Sequence, residues 1–283
     1  MNVLVAKTAG FCFGVNRAVC RAFDEAERRK DHKGNIYTLG PLIHNPSIVE
    51  SLKNRGVDMI ESPSEAGQGD TVIIRAHGVP ASCCEELSSR GVQVVDATCP
   101  YVAKIHRIVR AASDAGKTVL IFGHQDHPEV LGIRGHCKRS FTFTTKEELA
   151  LLAERENLAN SPVVLVSQTT MNAEQWQKSC EYAKNLYTKI DISDTICKAT
   201  DERQQEAAEL SARCEAMIVI GGRNSSNTRR LFEVCQTRCE RVFLIESADE
   251  LVLSDFSNCT TVGVTAGAST PEYIIQAVCE KFS

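Results

Sequence analysis

Short, β-branched apolar runs recur along the chain: Val3-Leu4-Val5-Ala6, Ile36-Tyr37-Thr38, Val72-Ile73-Ile74, residues 92–95, 119–122, 163–166, 217–220 and 242–245, and Val262-Gly263-Val264. Most are too short for helices and carry no polar alternation, so they read as strands buried on both faces. Between them the 3.6-residue period predicts helices over 18–29, 82–90, 103–115, 172–187, 201–213, 226–235 and 271–282. Strand and helix in alternation predict an α/β fold of parallel sheets with right-handed crossovers.

The stretches that follow the strands are polar or glycine-rich. They include Gly40-Pro41-Leu42-Ile43-His44-Asn45, Arg75-Ala76-His77-Gly78, Gly123-His124-Gln125-Asp126-His127-Pro128-Glu129, Ser167-Gln168-Thr169-Thr170, Gly221-Gly222-Arg223-Asn224-Ser225-Ser226-Asn227 and Thr265-Ala266-Gly267-Ala268-Ser269-Thr270. In an open parallel sheet such loops lie at the carboxyl edge, where ligands bind.

Three cysteines, Cys12, Cys99 and Cys197, also follow or stand near strand patterns, 87 and 98 residues apart. His44 and His77 lie 32 and 65 residues after Cys12, His127 and Thr169 lie 28 and 70 after Cys99, and Ser225 and Ser269 lie 28 and 72 after Cys197. This predicts three similar α/β lobes, 1–98 with Cys12, 99–195 with Cys99 and 196–283 with Cys197, arranged as a pseudo-threefold trefoil around one polar pocket. A strand roughly every thirty residues is also what any α/β chain shows, so spacing alone leaves the repeat open.

Composition narrows the function classes. With 32 basic and 36 acidic residues the chain has no strong field for nucleic acid or an anionic membrane. No long apolar N-terminal stretch and no apolar run of about eighteen residues is present, so we expect a cytoplasmic protein without a membrane span. Thirteen cysteines in that setting are not a disulfide framework. Most are expected to be small core residues, Cys180, Cys214, Cys235, Cys259 and Cys279 among them, and Cys83-Cys84 and Cys239 fall in or beside helices.

No Cys-x-x-Cys pair and no ferredoxin-like cysteine run is present. Three distant thiolates that converge can hold zinc or an iron–sulfur cluster, and a cubane cluster held by three cysteines leaves one iron open as a Lewis acid. Glu129 is the carboxylate singled out as a proton relay, with Asp126 its local alternative, as His124 is to His127. Hydroxyls and N–H groups around Ser225-Ser226-Asn227 and Ser269, each before a helix, make anion sites suited to a diphosphate. Either serine also serves as a plain helix cap.

Taken together, Phe11-Cys12-Phe13-Gly14-Val15 with Arg17-Ala18, His44-Asn45, Ala76-His77-Gly78-Val79, Asp96-Ala97-Thr98-Cys99-Pro100, His127-Pro128-Glu129-Val130, Gln168-Thr169-Thr170, Ile196-Cys197 with Ala199-Thr200, Asn224-Ser225-Ser226-Asn227 and Gly263-Val264-Thr265-Ala266-Gly267-Ala268-Ser269 closely resemble the 4-hydroxy-3-methylbut-2-enyl diphosphate reductases. These enzymes close the non-mevalonate isoprenoid pathway. The matches run in order from residue 10 to the last helix, and no motif position departs from the pattern.

The resemblance implies one [4Fe–4S] cluster per chain on Cys12, Cys99 and Cys197, with the fourth iron open to the substrate's hydroxyl oxygen. It implies that His44, His77, His127, Ser225, Ser226, Asn227 and Ser269 hold the diphosphate, that Thr169 lies near the alcohol, and that Glu129 belongs to the proton relay. Two electrons, from a reduced ferredoxin or flavodoxin, and two protons would remove the hydroxyl as water, giving isopentenyl and dimethylallyl diphosphates. Two other readings carry the same cysteines: a quinolinate synthase-like dehydratase, which needs no external electrons, and an iron–sulfur sensor, for which no basic stripe is visible.

Overall fold

The computed structural model describes residues 1–28 and 34–283. Arg29, the last residue of the predicted helix 18–29, lies outside the described residues. In chain order the elements are β1 (Asn2–Val5), α1 (Phe13–Glu27), β2 (Ile36–Leu39), α2 (Pro46–Asn54), β3 (Val57–Ile60), β4 (Thr71–Ile74), α3 (Ala81–Ser89), β5 (Gln93–Asp96), α4 (Pro100–Asp114) and β6 (Thr118–Phe122). They continue with α5 (Pro128–Arg134), β7 (Ser140–Phe143), α6 (Lys146–Arg155), β8 (Val163–Ser167), α7 (Ala173–Leu186), β9 (Ile190–Ile192), α8 (Lys198–Ser211), β10 (Ala216–Ile220), α9 (Ser226–Gln236), β11 (Val242–Ile245), β12 (Thr261–Ala266) and α10 (Glu272–Glu280).

The strands make three sheets of four, in the orders β3-β2-β4-β5, β7-β6-β8-β9 and β11-β10-β12-β1, with every neighbouring pair parallel. In the first two sheets the strands, taken in chain order, occupy the places 2-1-3-4. The third sheet repeats that order, but its fourth place is filled by β1, with Val3 opposite Val262 and Leu4 opposite Gly263. The ladders therefore distribute strands differently from the sequence thirds: the cysteine after the fourth-place strand ends each sheet's set, and residues 2–5 join the sheet of the C-terminal strands.

In a 2-1-3-4 sheet the connections leave in opposite directions from the two central strands, and the crevice between them is the ligand-binding switch point. The central strands here are β2 and β4, β6 and β8, and β10 and β12. Their carboxyl ends lead into the loops of His44, His77, His127, Thr169, Ser225 and Ser269. The fold thus puts six polar loops where this class of sheet binds ligands.

The central strands explain the apolar runs. Residues 119–122, 163–166 and 216–220 are all buried, and such runs pack helices on both faces. In the second sheet Phe122 packs against Phe143 and Trp176, ring centroids 5.6 and 6.0 Å apart, and all three are fully buried. The Trp176 indole N–H donates to Asp194 at 3.0 Å, so the core also anchors the segment that leads to Cys197.

The described residues form two compact units: Met1–Asn16, Ile43–Val49 and Cys197–Ser283 in the first, Arg17–Leu42 and Glu50–Ile196 in the second. The third sheet lies in the first unit and the other two sheets in the second. Among the described residues no helix is long and apolar enough to cross a membrane.

Candidate functional site

Each candidate cysteine follows a fourth-place strand and opens a helix. Cys99 and Cys197 are the N-cap residues of α4 and α8. Cys12 directly precedes α1, and its carbonyl accepts the Asn16 N–H at 2.9 Å, closing the first helical turn. The sequence pattern starts α4 and α8 at 103 and 201, three residues late. The first turn of each helix carries exposed residues, Pro100 and Tyr101 in α4 and Lys198 in α8, with only Val102 and Thr200 buried, so the apolar period is hard to see there, although Pro100 is itself a first-turn signal. All three side chains are half-buried and none is in a disulfide.

The cysteine backbones are tied to the switch-point loops. Within the second unit the Cys99 N–H donates to the Ala76 carbonyl at 2.9 Å, one residue before His77. Within the first unit the Cys12 N–H donates to the Ala268 carbonyl at 3.3 Å, one residue before Ser269. Ahead of Cys197, the Thr195 hydroxyl donates to the Ser167 carbonyl at 2.8 Å and accepts the Ser167 N–H at 2.7 Å, two residues before Thr169. Asp96 accepts the Thr98 N–H at 2.9 Å, and the Arg17 guanidinium donates to the Thr98 carbonyl at 3.0 Å, fixing the approach to Cys99.

The second unit brings His77, His127, Glu129 and Thr169 together. His77 and His127 meet edge to face, ring centroids 5.6 Å apart. His127 caps α5, its Nδ1 accepting the Glu129 N–H at 3.1 Å. That bond places the ring proton of neutral His127 on Nε2. Glu129 is 1% exposed, and it accepts the Thr169 N–H at 2.6 Å and the Thr169 hydroxyl at 2.8 Å. Burial pushes its carboxyl up to about 7, against the pull of those two hydrogen bonds.

His106 on α4 shapes the same unit, and the sequence reading passed over it. It stacks on His136 at 4.1 Å, and a Cβ built on Gly78 would lie 2.5 Å from its ring. Gly78 also has φ +70°, so the residue after His77 must be glycine on both counts. Burial, the neighbouring His136 and Arg110 lower the His106 pKa to about 3, with Asp96 opposing, which keeps the ring neutral. The ring thus fills the space beneath the His77 loop without adding charge.

In the first unit the His44 loop docks onto the loop after β12. Asn45 donates through Nδ2 to the Ser269 carbonyl at 2.9 Å, and the Ser269 hydroxyl donates to the His44 carbonyl at 3.3 Å. Asn45 also caps α2, accepting from the Ser47 N–H at 3.0 Å and the Ser47 hydroxyl at 2.7 Å. Ser225 caps α9 by accepting the Thr228 N–H at 3.3 Å, so the cap reading of that serine holds. Ser226 opens the helix and is half-buried. Asn227 is 4% exposed, yet neither Nδ2 nor Oδ1 has a partner among the described residues. A buried amide left unpaired is costly unless a ligand completes it.

The local alternatives separate by burial. Asp126 and His124 are exposed in the loop ahead of α5, whereas Glu129 faces the core because Pro128 starts the helix and turns the next residue inward. Cys180, Cys235, Cys239 and Cys259 are buried in hydrophobic clusters, and Cys83 and Cys84 pack on the first sheet's core. Arg203, also passed over, is buried in α8. Its signal was present: the inward positions Thr200, Arg203, Gln204 and Ala207 follow helical spacing, and an arginine on such a stripe is an anomaly.

A family model described as LytB protein matches residues 3–283. The chain belongs to the LytB family. Among LytB relatives, the 4-hydroxy-3-methylbut-2-enyl diphosphate reductase of Clostridium perfringens (strain SM101 / Type A) is 43% identical over 286 residues, covering 99% of this chain and 98% of that protein. The protein of the same name from Caldanaerobacter subterraneus subsp. tengcongensis is 39% identical over 284 residues, covering 99% and 96%. A solved structure of (E)-4-hydroxy-3-methyl-but-2-enyl diphosphate reductase, described as the terminal enzyme of the non-mevalonate pathway, matches at 38% identity and TM-score 0.71, over 100% of this chain and 99% of that one. The Plasmodium falciparum E-1-hydroxy-2-methyl-but-2-enyl-4-diphosphate reductase matches at 26% identity and TM-score 0.89, over 99% and 87%. LytB reductases are iron–sulfur enzymes.

Proposed function

We propose that this chain reduces 4-hydroxy-3-methylbut-2-enyl diphosphate to isopentenyl and dimethylallyl diphosphates. Two electrons and two protons enter, the allylic C–O bond breaks, and the oxygen leaves as water. The observation that carries the reading is the placement of Cys12, Cys99 and Cys197 at three helix N-termini, after the strands that flank the switch-point loops. The lobes are read as one per sheet, with sequence boundaries near 98 and 195 and with residues 2–5 joining the third.

The donor set fits an iron–sulfur cluster. Three half-buried thiols stand at helix N-termini, and none is used in a disulfide. Cys12, Cys99 and Cys197 would hold a [4Fe–4S] cluster, leaving one iron without a protein ligand. When bound, that cluster supplies the electrons and the Lewis acidity that C–O cleavage without hydride requires.

The chain's own residues do the rest. Ser225, Ser226, Asn227 and Ser269 donate to the diphosphate oxygens, Asn227 gaining the partner that its buried amide lacks. His44, His77 and His127 add N–H donors, His127 through Nε2. Thr169 positions the allylic alcohol while Glu129 fixes the Thr169 hydroxyl. With its carboxyl near 7, Glu129 is poised between acid and carboxylate at neutral pH, and its acid form can release a proton toward the departing oxygen. A reduced ferredoxin or flavodoxin serves as electron donor.

The test is anaerobic oxidation of reduced viologen by the reconstituted protein on addition of 4-hydroxy-3-methylbut-2-enyl diphosphate, with products identified by mass spectrometry. Oxidation coupled to five-carbon diphosphates is expected. Absence of oxidation in protein that carries its cluster would favour a dehydratase instead.

A further inference from the structure

Arg203 has two backbone anchors, both beside proposed ligands. Its Nη2 donates to the Gly10 carbonyl at 2.8 Å, and its Nη1 to the Ala199 carbonyl at 3.0 Å. Gly10 lies two residues before Cys12, and Ala199 two residues after Cys197. Gly10 has φ +99°, a conformation that turns the chain into the Cys12 segment and favours glycine. All of these residues belong to the first unit.

The guanidinium is nine-tenths buried, at 5% exposure, and its Nε has no partner among the described residues. It makes no carboxylate ion pair there either. The nearby acid that would serve, Glu206, is spent on the Lys7 N–H and on the Thr8 N–H and hydroxyl. Burial lowers the Arg203 pKa, and the thiols of Cys12 and Cys197 oppose that ahead of Glu202 and Glu206. A buried cation without a counter-charge is costly, and Cys12 and Cys197 each lie two residues from Gly10 and Ala199, whose carbonyls the guanidinium holds.

We propose that Arg203 is a positioning residue and the buried counter-charge of the sulfur centre, clamping the Cys12 and Cys197 segments together and stabilising negative charge on their sulfurs. The proposal rests on the cluster reading above. Arginine suits the role because its planar fork reaches two carbonyls at once while keeping its charge, whereas lysine is a single point donor. Reduction of a thiolate-bound cluster adds negative charge, so a fixed cation nearby raises its reduction potential.

The experiment compares wild type, Arg203→Gln and Arg203→Lys, reconstituted anaerobically. It reads iron and sulfide per chain, midpoint potential by spectroscopic titration, and the rate of cluster loss to a chelator. Arg203→Gln should titrate at a more negative potential and lose its cluster faster. Arg203→Lys should keep a potential near wild type, because the charge remains, but still lose its cluster faster, because one carbonyl is released. A Gln variant with wild-type potential and wild-type chelator resistance would overturn the proposal. Should the Gln variant not fold, unchanged cluster loss in Arg203→Lys would overturn the clamp. Wild type that binds no cluster would instead overturn the functional reading on which this rests.

Discussion

Glu129 takes two hydrogen bonds from one residue: Thr169 donates its backbone N–H to Oε1 at 2.6 Å and its hydroxyl to Oε2 at 2.8 Å. The pair sits at the carboxyl end of β8 beside the first turn of α5, so the polar contact joins the two loops of the second sheet's switch point. Burial favours the protonated acid and the two bonds favour the carboxylate, leaving a carboxyl poised near 7. Glu129→Gln keeps the shape and removes the proton. Turnover should fall about 10²- to 10⁴-fold with KM little changed. The wild-type rate should fall as pH rises through about 7, a limb absent from the Gln variant.

The same carboxyl makes stability depend on pH. Its folded pKa of about 7 lies above the ordinary 4.5, so the folded chain holds a proton that the unfolded chain has lost in that window. Its contribution is fully present below 4.5 and is lost as pH rises through 7. The unfolding free energy of Glu129→Gln relative to wild type should therefore climb between pH 4.5 and 7 and level off above, for a total of about 3 kcal/mol. A difference that is flat across this range would contradict the burial argument.

In the proposed role as a diphosphate donor, Asn227 trades stability for binding. Its buried amide has no partner among the described residues, so Asn227→Ala removes an unpaired group and should leave Tm unchanged or slightly raised. With substrate the balance reverses, and KM should rise about 10- to 100-fold, corresponding to ~1–3 kcal/mol. Thermal melts with and without substrate separate the effects, since ligand stabilisation should shrink in the variant.

Gly78 is constrained twice, by φ +70° and by the His106 ring 2.5 Å from any added Cβ. Gly78→Ala should cost on the order of 2 kcal/mol or more in unfolding measurements. Because His77 precedes it, KM should also rise. Ala at Gly67, where nothing lies within 4 Å of the added Cβ, should show neither effect.

Much of this architecture was legible because the central strands are buried on both faces and therefore spell continuous apolar runs. The strands passed over are β3, β7 and β9, with sequences VDMI, SFTF and IDI. All three are sheet edges. An edge strand with an exposed face needs no apolar run, so Asp58 or Asp191 is tolerated there. Short α2 and α5 were hidden for a related reason: each opens directly from a switch-point loop, at Pro46 and Pro128, and is too brief to show a period. The polar loops at the strand ends were legible, since His44, His77, His127 and Ser225 follow apolar runs. That β1 belongs with β12 was not legible, because pairing across the whole chain leaves no local mark. The inward side of α8 carried a mark in the helical spacing of Thr200, Arg203, Gln204 and Ala207, but a faint one, because Arg203 and Gln204 occupy positions that hydrophobic residues normally take.

The most direct test of the ligand assignment is iron and sulfide analysis, with electron paramagnetic resonance after reduction, on anaerobically reconstituted wild type and on Cys12→Ser, Cys99→Ser, Cys197→Ser and Cys180→Ser. Cys180 is buried in the second sheet's core and serves as the control. The account predicts about four iron and four sulfide per chain in wild type and in Cys180→Ser, with loss of the cluster and of viologen oxidation in each of the other three. Full cluster content in Cys12→Ser, Cys99→Ser or Cys197→Ser, or its loss in Cys180→Ser while the fold is kept, would contradict it.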